Sequence, residues 1–178
     1  MQIEVEIRSL ITKEKYLELK KFLDKNAKLT AKDHQETIYF KARHDLRIQK
    51  NNTCSKIWMK KGKIHDEQRE ETEIRFERDD FEKILQMLLD LGFEIDVKWI
   101  RERLTYFWEG IDVMLDDTKG YGQIIELEKK ATEGDKDAVL DLLKSKLEEL
   151  GIKQTPRDEF DKKLSEYRKN WKKLIGRE

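Results

Sequence analysis

The chain opens on a strict alternation. Ile3, Val5 and Ile7 interleave with Glu4, Glu6 and Arg8, a period of two that predicts a strand with one apolar and one charged face. The pattern returns at Ile125-Glu126-Leu127-Glu128, so two distant strands each aim a pair of carboxylates in one direction. Between them, residues 28–41 read as extended, closing on Thr37-Ile38-Tyr39-Phe40, and a short strand over 46–50 follows the turn Arg43-His44-Asp45. Asn51-Asn52-Thr53 turns the chain into a strand from Lys56 to Lys61, and Gly62 to Asp66 is a polar loop. Over 69–77 the odd positions Arg69, Glu71, Glu73, Arg75 and Glu77 oppose Thr72, Ile74 and Phe76. The long segment 93–109 carries Arg101 and Arg103 on one face and Leu104, Tyr106 and Trp108 on the other. Strands over 111–117 and 123–130 complete the set, with Gly120 and Gly122 bracketing the last hairpin.

Three stretches change period to that of an amphipathic helix. Tyr16, Leu19, Phe22 and Leu23 follow the N-cap Thr12 and run to Asn26; Phe81, Ile84, Leu85, Leu88 and Leu89 follow a cap at Asp79 and stop at Gly92. Val139, Leu142, Leu143 and Leu150 follow Asp135 and end at Gly151. Beyond Pro156 a basic helical tail runs from about 159 to 175.

Eight strand candidates separated by turns predict an antiparallel barrel or sandwich, α+β once the helices are counted. Two arrangements satisfy the pattern. In the ordinary one the apolar faces meet inside and the charged faces meet water. In the inverted one the helices cover an apolar outer face and the charged residues line the bore, which in an eight-stranded barrel is wide enough for one small ligand.

Charged residues make up 43% of the 178 positions, yet Lys+Arg and Asp+Glu balance at 38 each. A general nucleic-acid binder would show a basic excess, so none is expected. Cys54 stands alone, and His34, His44 and His65 lack zinc spacing. No apolar run approaches the ~18 residues of a membrane span, and no signal peptide is visible. The expectation is a single cytoplasmic domain over 1–178, monomeric or homodimeric, with no membrane partner.

Paired acids beside paired bases have a chemical meaning. Arginine makes bidentate, charge-assisted bonds to phosphate, whereas a carboxylate meets phosphate only through a cation. Together they point to a hard divalent metal with a polyphosphate.

These residues also resemble a known family. Glu4-x-Glu6-x-Arg8 resembles the ExExK signature that opens the CYTH proteins, or triphosphate tunnel metalloenzymes. Leu46-Arg47-Ile48-Gln49 resembles that family's LRIR, and Arg69-x-Glu71-x-Glu73 its RxExE. Arg101-x-Arg103-x-x-Tyr106 resembles KxRxxY, and Leu115-Asp116, Gly120-x-Gly122 and Glu126-x-Glu128 its closing LD, GxG and ExE, all in matching order to about residue 160. The resemblance implies the inverted arrangement, an eight-stranded antiparallel tunnel with helices packed outside. It implies Mg²⁺ or Mn²⁺ held by Glu4, Glu6, Glu126 and Glu128 with Asp116 assisting, and a small-molecule triphosphate clamped by Arg8, Arg47, Lys61, Arg69, Arg101 and Arg103. The register could equally turn Lys60 inward in place of Lys61. Glu71 or Glu73 would orient a second metal or the attacking water. Three positions depart from the family pattern: Arg8 and Arg101 stand where lysine is usual, and Gln49 replaces a second arginine. Arg157 or Lys163 would supply the basic residue that the family often carries in the tail.

The implied activity is hydrolysis of a phosphoanhydride in an inorganic or organic triphosphate. A class IV-type adenylyl cyclase and a non-catalytic polyphosphate or nucleotide binder are the alternatives. The four tryptophans, with Tyr106, are expected to serve packing.

Overall fold

A computed structural model describes residues 3–61 and 68–176, with the side chains of residues 68 and 69 left out; the expected polar loop Gly62 to Asp66 lies outside the described residues. The element order is β1 (Ile3–Ile11), α1 (Lys13–Asn26), β2 (Lys28–Phe40), β3 (Asp45–Lys50), β4 (Ser55–Lys60), β5 (Gln68–Arg69), β6 (Glu71–Phe76), α2 (Phe81–Asp90), β7 (Ile95–Trp108), β8 (Ile111–Thr118), β9 (Gly122–Ala131), α3 (Lys136–Glu149) and α4 (Arg157–Leu174).

The strands form one antiparallel sheet in the order β5-β1-β9-β8-β7-β2-β3-β4-β6. Its two terminal strands, β5 and β6, are separated in the chain by Glu70 alone. This one extended run pairs with β1 through Glu4↔Arg69 and with β4 through Lys60↔Glu71, so the sheet returns on itself. Counted as one strand, the run gives the eight that the sequence predicts.

The apolar faces point outward and are roofed by helices. Thr12 Oγ1 accepts the Lys15 N–H at 3.2 Å and starts α1, whose Tyr16, Leu19 and Leu23 pack on Val5, Leu104, Tyr106 and Leu127. Val139, Leu143 and Leu147 of α3 join the same cluster. Leu19, Leu23, Leu143 and Leu147 are at most 2% exposed, so each contributes roughly 1.5–3 kcal/mol of burial. Phe81 and Leu88 of α2 cover Ile38, Phe40 and Ile48. The start of α2 differs from expectation. Arg78–Asp80 form a 3₁₀ turn closed by Asp80 N–H to Glu77 C=O at 3.1 Å, so Asp79 already lies inside the turn and Asp80 occupies the cap position.

The expected tail is a packed element. Helix α4 starts at Arg157, directly after Pro156, and buries Phe160, Leu164 and Tyr167. Leu164 and Tyr167 meet Tyr39, Trp99, Tyr121 and Ile124 at one end of the barrel. The Tyr167 hydroxyl lies 3.1 and 3.2 Å from the carbonyls of Lys98 and Lys119, both within donating reach. No helix among the described residues is long and apolar enough to cross a membrane.

Candidate active site

The inward faces enclose a cavity of about 460 Å³. It is graded along its length, with carboxylates near Glu4, Glu128 and Lys130, arginines in the middle, and aromatic and aliphatic side chains where Phe160 and Leu164 of α4 close it.

At the acidic end the β1–β9 register sets Glu6 opposite Glu128 and Glu4 opposite Lys130. Glu4, Glu6 and Glu128 each offer an oxygen within 4.8 Å of the others'. Burial, then the charges of Glu4 and Glu6, push the Glu128 carboxyl up to about 8. Burial raises Glu4 too, and Lys60 only partly offsets it. Three converging carboxylates, two of them held above their ordinary range, want a cation. An all-oxygen set of this size suits Mg²⁺ or Mn²⁺, with substrate phosphates completing the shell.

Deeper in, Arg8, Arg47, Arg101 and Arg103 all line the cavity. Arg103 donates from Nε to Asp116 Oδ1 and from Nη2 to Asp116 Oδ2, both at 2.6 Å, and also to Glu126. Arg101 donates to Asp116 at 2.9 Å and to Gln35 at 2.8 Å. Burial and the neighbouring Arg103 push Arg101 below its usual value, which makes an incoming anion welcome there. Arg47 is fixed by Asp45 and lies 4.4 Å from the Tyr39 ring centroid. Arg8 pairs with Glu6 and reaches Glu126 at 3.9 Å. Burial opposes the charge of Glu126, but Arg103, Arg8 and Arg101 outweigh it and hold its carboxyl down to about 2.

The expected residues do not all fall together. Asp116 is fully buried, absent from the cavity wall, and has both oxygens on arginines. Glu126 lines the cavity but stands outside the three-carboxylate cluster. The register of β4 turns Lys60 inward and corrects Lys61, which is exposed and bonded to Glu70 at 2.6 Å. Glu71 and Glu73 both line the cavity; Glu71 lies 3.1 Å from Lys60, and Glu73 is held by Lys56 at 2.6 Å and Arg75 at 2.7 Å. Arg69 pairs through its backbone with Glu4, and its side chain lies outside the described residues. In the tail, Arg157 Nε lies 3.8 Å from exposed Asp161, and Lys163 Nζ lies 5.0 Å from the Tyr121 ring; neither lines the cavity.

Sequence reasoning left Lys60 open as the alternative to Lys61 and missed Lys56, Gln35 and Tyr39, which share the inward parity of residues it did find. Trp58 and Trp99 also line the cavity, where packing alone was expected of them. Tyr106 behaves as expected, with its ring fully buried and its hydroxyl donating to Asp24 at 2.7 Å.

A family model described as the CYTH domain matches residues 2–164. A protein of Methanocaldococcus jannaschii that carries the provisional name adenylate cyclase is 36% identical over 163 residues, covering 84% of this chain and 90% of its own. A solved Pyrococcus horikoshii protein superposes with a TM-score of 0.73 at 25% identity, over 86% of this chain and 93% of its own. A Hippeastrum protein, provisionally named an adenylyl cyclase and described as revealing a dominant triphosphatase activity, superposes with a TM-score of 0.62 at 21% identity, over 85% and 89%.

Proposed function

The chain belongs to the CYTH family, and on that footing we propose that it is a divalent-metal-dependent triphosphatase that hydrolyses a phosphoanhydride bond of an inorganic or organic triphosphate. One observation carries the reading: Glu4, Glu6 and Glu128 converge within 4.8 Å in a cavity also lined by Arg8, Arg47, Arg101 and Arg103. Such a pairing serves a polyanion that brings a cation with it. Glu4, Glu6 and Glu128 would hold Mg²⁺ or Mn²⁺, which when bound supplies charge neutralisation and a more acidic water. Arg8, Arg47, Arg101 and Arg103 orient the phosphates and take up the charge that develops on their oxygens, the main work in phosphoryl transfer. Asp45, Asp116 and Gln35 hold three of those guanidinia in place. Of the two acids of β6, Glu71 suits the role of orienting the water, because it lies beside the acidic cluster, 3.1 Å from Lys60, whereas Glu73 is held by Lys56 and Arg75.

Adenylyl cyclase activity is the second reading, favoured by the provisional name of the Methanocaldococcus relative. Assays of orthophosphate release from tripolyphosphate, ATP and thiamine triphosphate with Mg²⁺ and Mn²⁺, run beside a cyclic AMP measurement, separate the two. The proposal expects metal-dependent orthophosphate that is lost in Glu4→Ala. Cyclic AMP with pyrophosphate would replace it by the cyclase, and tight binding without turnover under every metal would leave a binding protein.

A further inference from the structure

Lys60 sits where a cation is wanted. Its side chain is 8% exposed, and Nζ is hydrogen-bonded to Glu4, 3.1 Å from Glu71 and 3.6 Å from Glu6. Two of the three carboxylates it contacts, Glu4 and Glu6, also belong to the three-oxygen cluster. A divalent ion that took Glu4 and Glu6 as ligands would compete with this ammonium for their charge and repel it. Lys60 must therefore yield, and its flexible four-carbon stem lets the head move without moving β4.

The yielded ammonium needs an anion. Glu71 remains beside it. In a cavity already crowded with arginines, the other source is the oxygens of a bound polyphosphate.

We propose that Lys60 is a resident counterion that couples the two ligands. It neutralises Glu4 and Glu6 while no metal is bound, releases them to the metal, and is then held by the phosphates of the substrate. This rests on the metal-and-triphosphate reading above. Its consequence is that the divalent ion binds weakly to the protein alone and tightly beside a triphosphate, and by linkage each strengthens the other equally. The coupling has a physical source beyond the direct contact of metal and phosphate, because the side chain evicted by one ligand becomes a partner for the other.

The test is Mn²⁺ binding to the full chain, followed by electron paramagnetic resonance with and without a methylene-bridged, non-hydrolysable tripolyphosphate analogue. Lys60→Met and the more conservative Lys60→Gln are compared with wild type, and circular dichroism verifies that each is folded. The proposal expects Mn²⁺ alone to bind both variants about tenfold more tightly than wild type. It expects the strengthening of Mn²⁺ by the analogue to shrink at least tenfold. A lysine that served only as a phosphate contact would leave Mn²⁺ affinity in the absence of the analogue unchanged, and that result in either folded variant overturns the coupling while the metal reading stands. No Mn²⁺ binding in wild type or variants would overturn the metal reading, and the coupling with it.

Discussion

Asp116→Asn separates two roles for one carboxylate. The family pattern makes Asp116 a helper at the metal, whereas its surroundings make it the anchor of the arginine pair. Its side chain is completely buried and accepts three bonds, at 2.6, 2.6 and 2.9 Å, all from guanidinium nitrogens. Asparagine keeps the shape but removes the charge, and it turns one acceptor into a donor that faces an arginine N–H. Solvent screening gives no relief at a side chain with no exposed surface. Breaking a buried pair by altering one partner costs about 3–5 kcal/mol. Arg103 keeps Glu126 as a second partner, which argues for the lower end, about 3 kcal/mol. For a chain of this size that lowers Tm by roughly 6–12 °C. Thermal melting, Mn²⁺ calorimetry and steady-state kinetics on one preparation decide the matter. The expected outcome is that fall in Tm, Mn²⁺ affinity within about twofold of wild type, and a KM for triphosphate about tenfold higher as Arg101 and Arg103 lose their orientation. An unchanged Tm with a tenfold loss of Mn²⁺ affinity would refute the anchor and make Asp116 a ligand.

Other outcomes follow from single contacts. Because Glu128 is raised from 4.5 to about 8, the folded chain keeps a proton there that the unfolded chain has lost; stability without metal is fullest below 4.5 and falls as pH rises through that window. Glu128→Gln in EDTA should melt with wild type near pH 5 and above it at pH 8, and equal melting at both would disprove the burial of that charge. Trp99 Nε1 is buried without a partner among the described residues, so Trp99→Phe gains about 1–3 kcal/mol from removing the orphan donor and loses about as much packing. Its Tm should stay within about 3 °C, whereas a large fall would reveal a partner. At Gly120, φ is +73° and an added Cβ would stand 2.5 Å from Leu174 Cβ. Gly120→Ala should cost about 2–4 kcal/mol and make α4 easier to cleave by protease; Gly92→Ala, with φ +90° and nothing within 4 Å, should cost only the backbone strain of about 1–2 kcal/mol.

The strands and the sorting of their faces were readable because period two is a local property. Val5 and Ile7 lie outward under helices while Glu4, Glu6 and Arg8 line the cavity. The direction of inversion was not readable from alternation alone, since it depends on whether helices are available to roof the apolar face. Lys60 and Lys61 were ambiguous for a specific reason. Trp58 is a large apolar residue at an inward position, so β4 lacks the clean alternation that sorts β1. The function of Asp116 depends on two arginines of a neighbouring strand, which β-pairing supplies and sequence order does not. Helix α4 carried a usable signal in Phe160, Leu164 and Tyr167, spaced four and three apart on one face. Its basic charge suggested a solvated tail, and what that face would cover lay in residues 39, 99 and 121, far away in sequence.

The two Glu-x-Glu pairs look alike in the sequence and are unlike in the fold, and pairing register accounts for the difference. Antiparallel pairing of β1 with β9 runs the second pair backwards past the first, so Glu6 meets Glu128 while Glu126 meets Arg8. One carboxylate is thereby handed to the arginines and held at about 2, while its neighbour two residues on is left among acids and rises to about 8. A sequence echo that suggests four equivalent ligands thus becomes three that converge at the acidic end and one that is held among the arginines. Shifting β9 by two residues so that Glu126 faced Glu6 would set Glu128 opposite Glu4 and put both among acids, and Arg103 would lose one of its two carboxylate partners. The division between a cation end and an anion middle is therefore a property of strand register, and changing one glutamate at a time should expose it. Glu126→Gln should weaken the hold on the arginines and raise KM for triphosphate several-fold, with Mn²⁺ affinity within about twofold of wild type. Glu6→Gln should weaken Mn²⁺ at least tenfold. Equal losses of Mn²⁺ affinity in the two variants would show that all four glutamates act as one set and that register does not divide them.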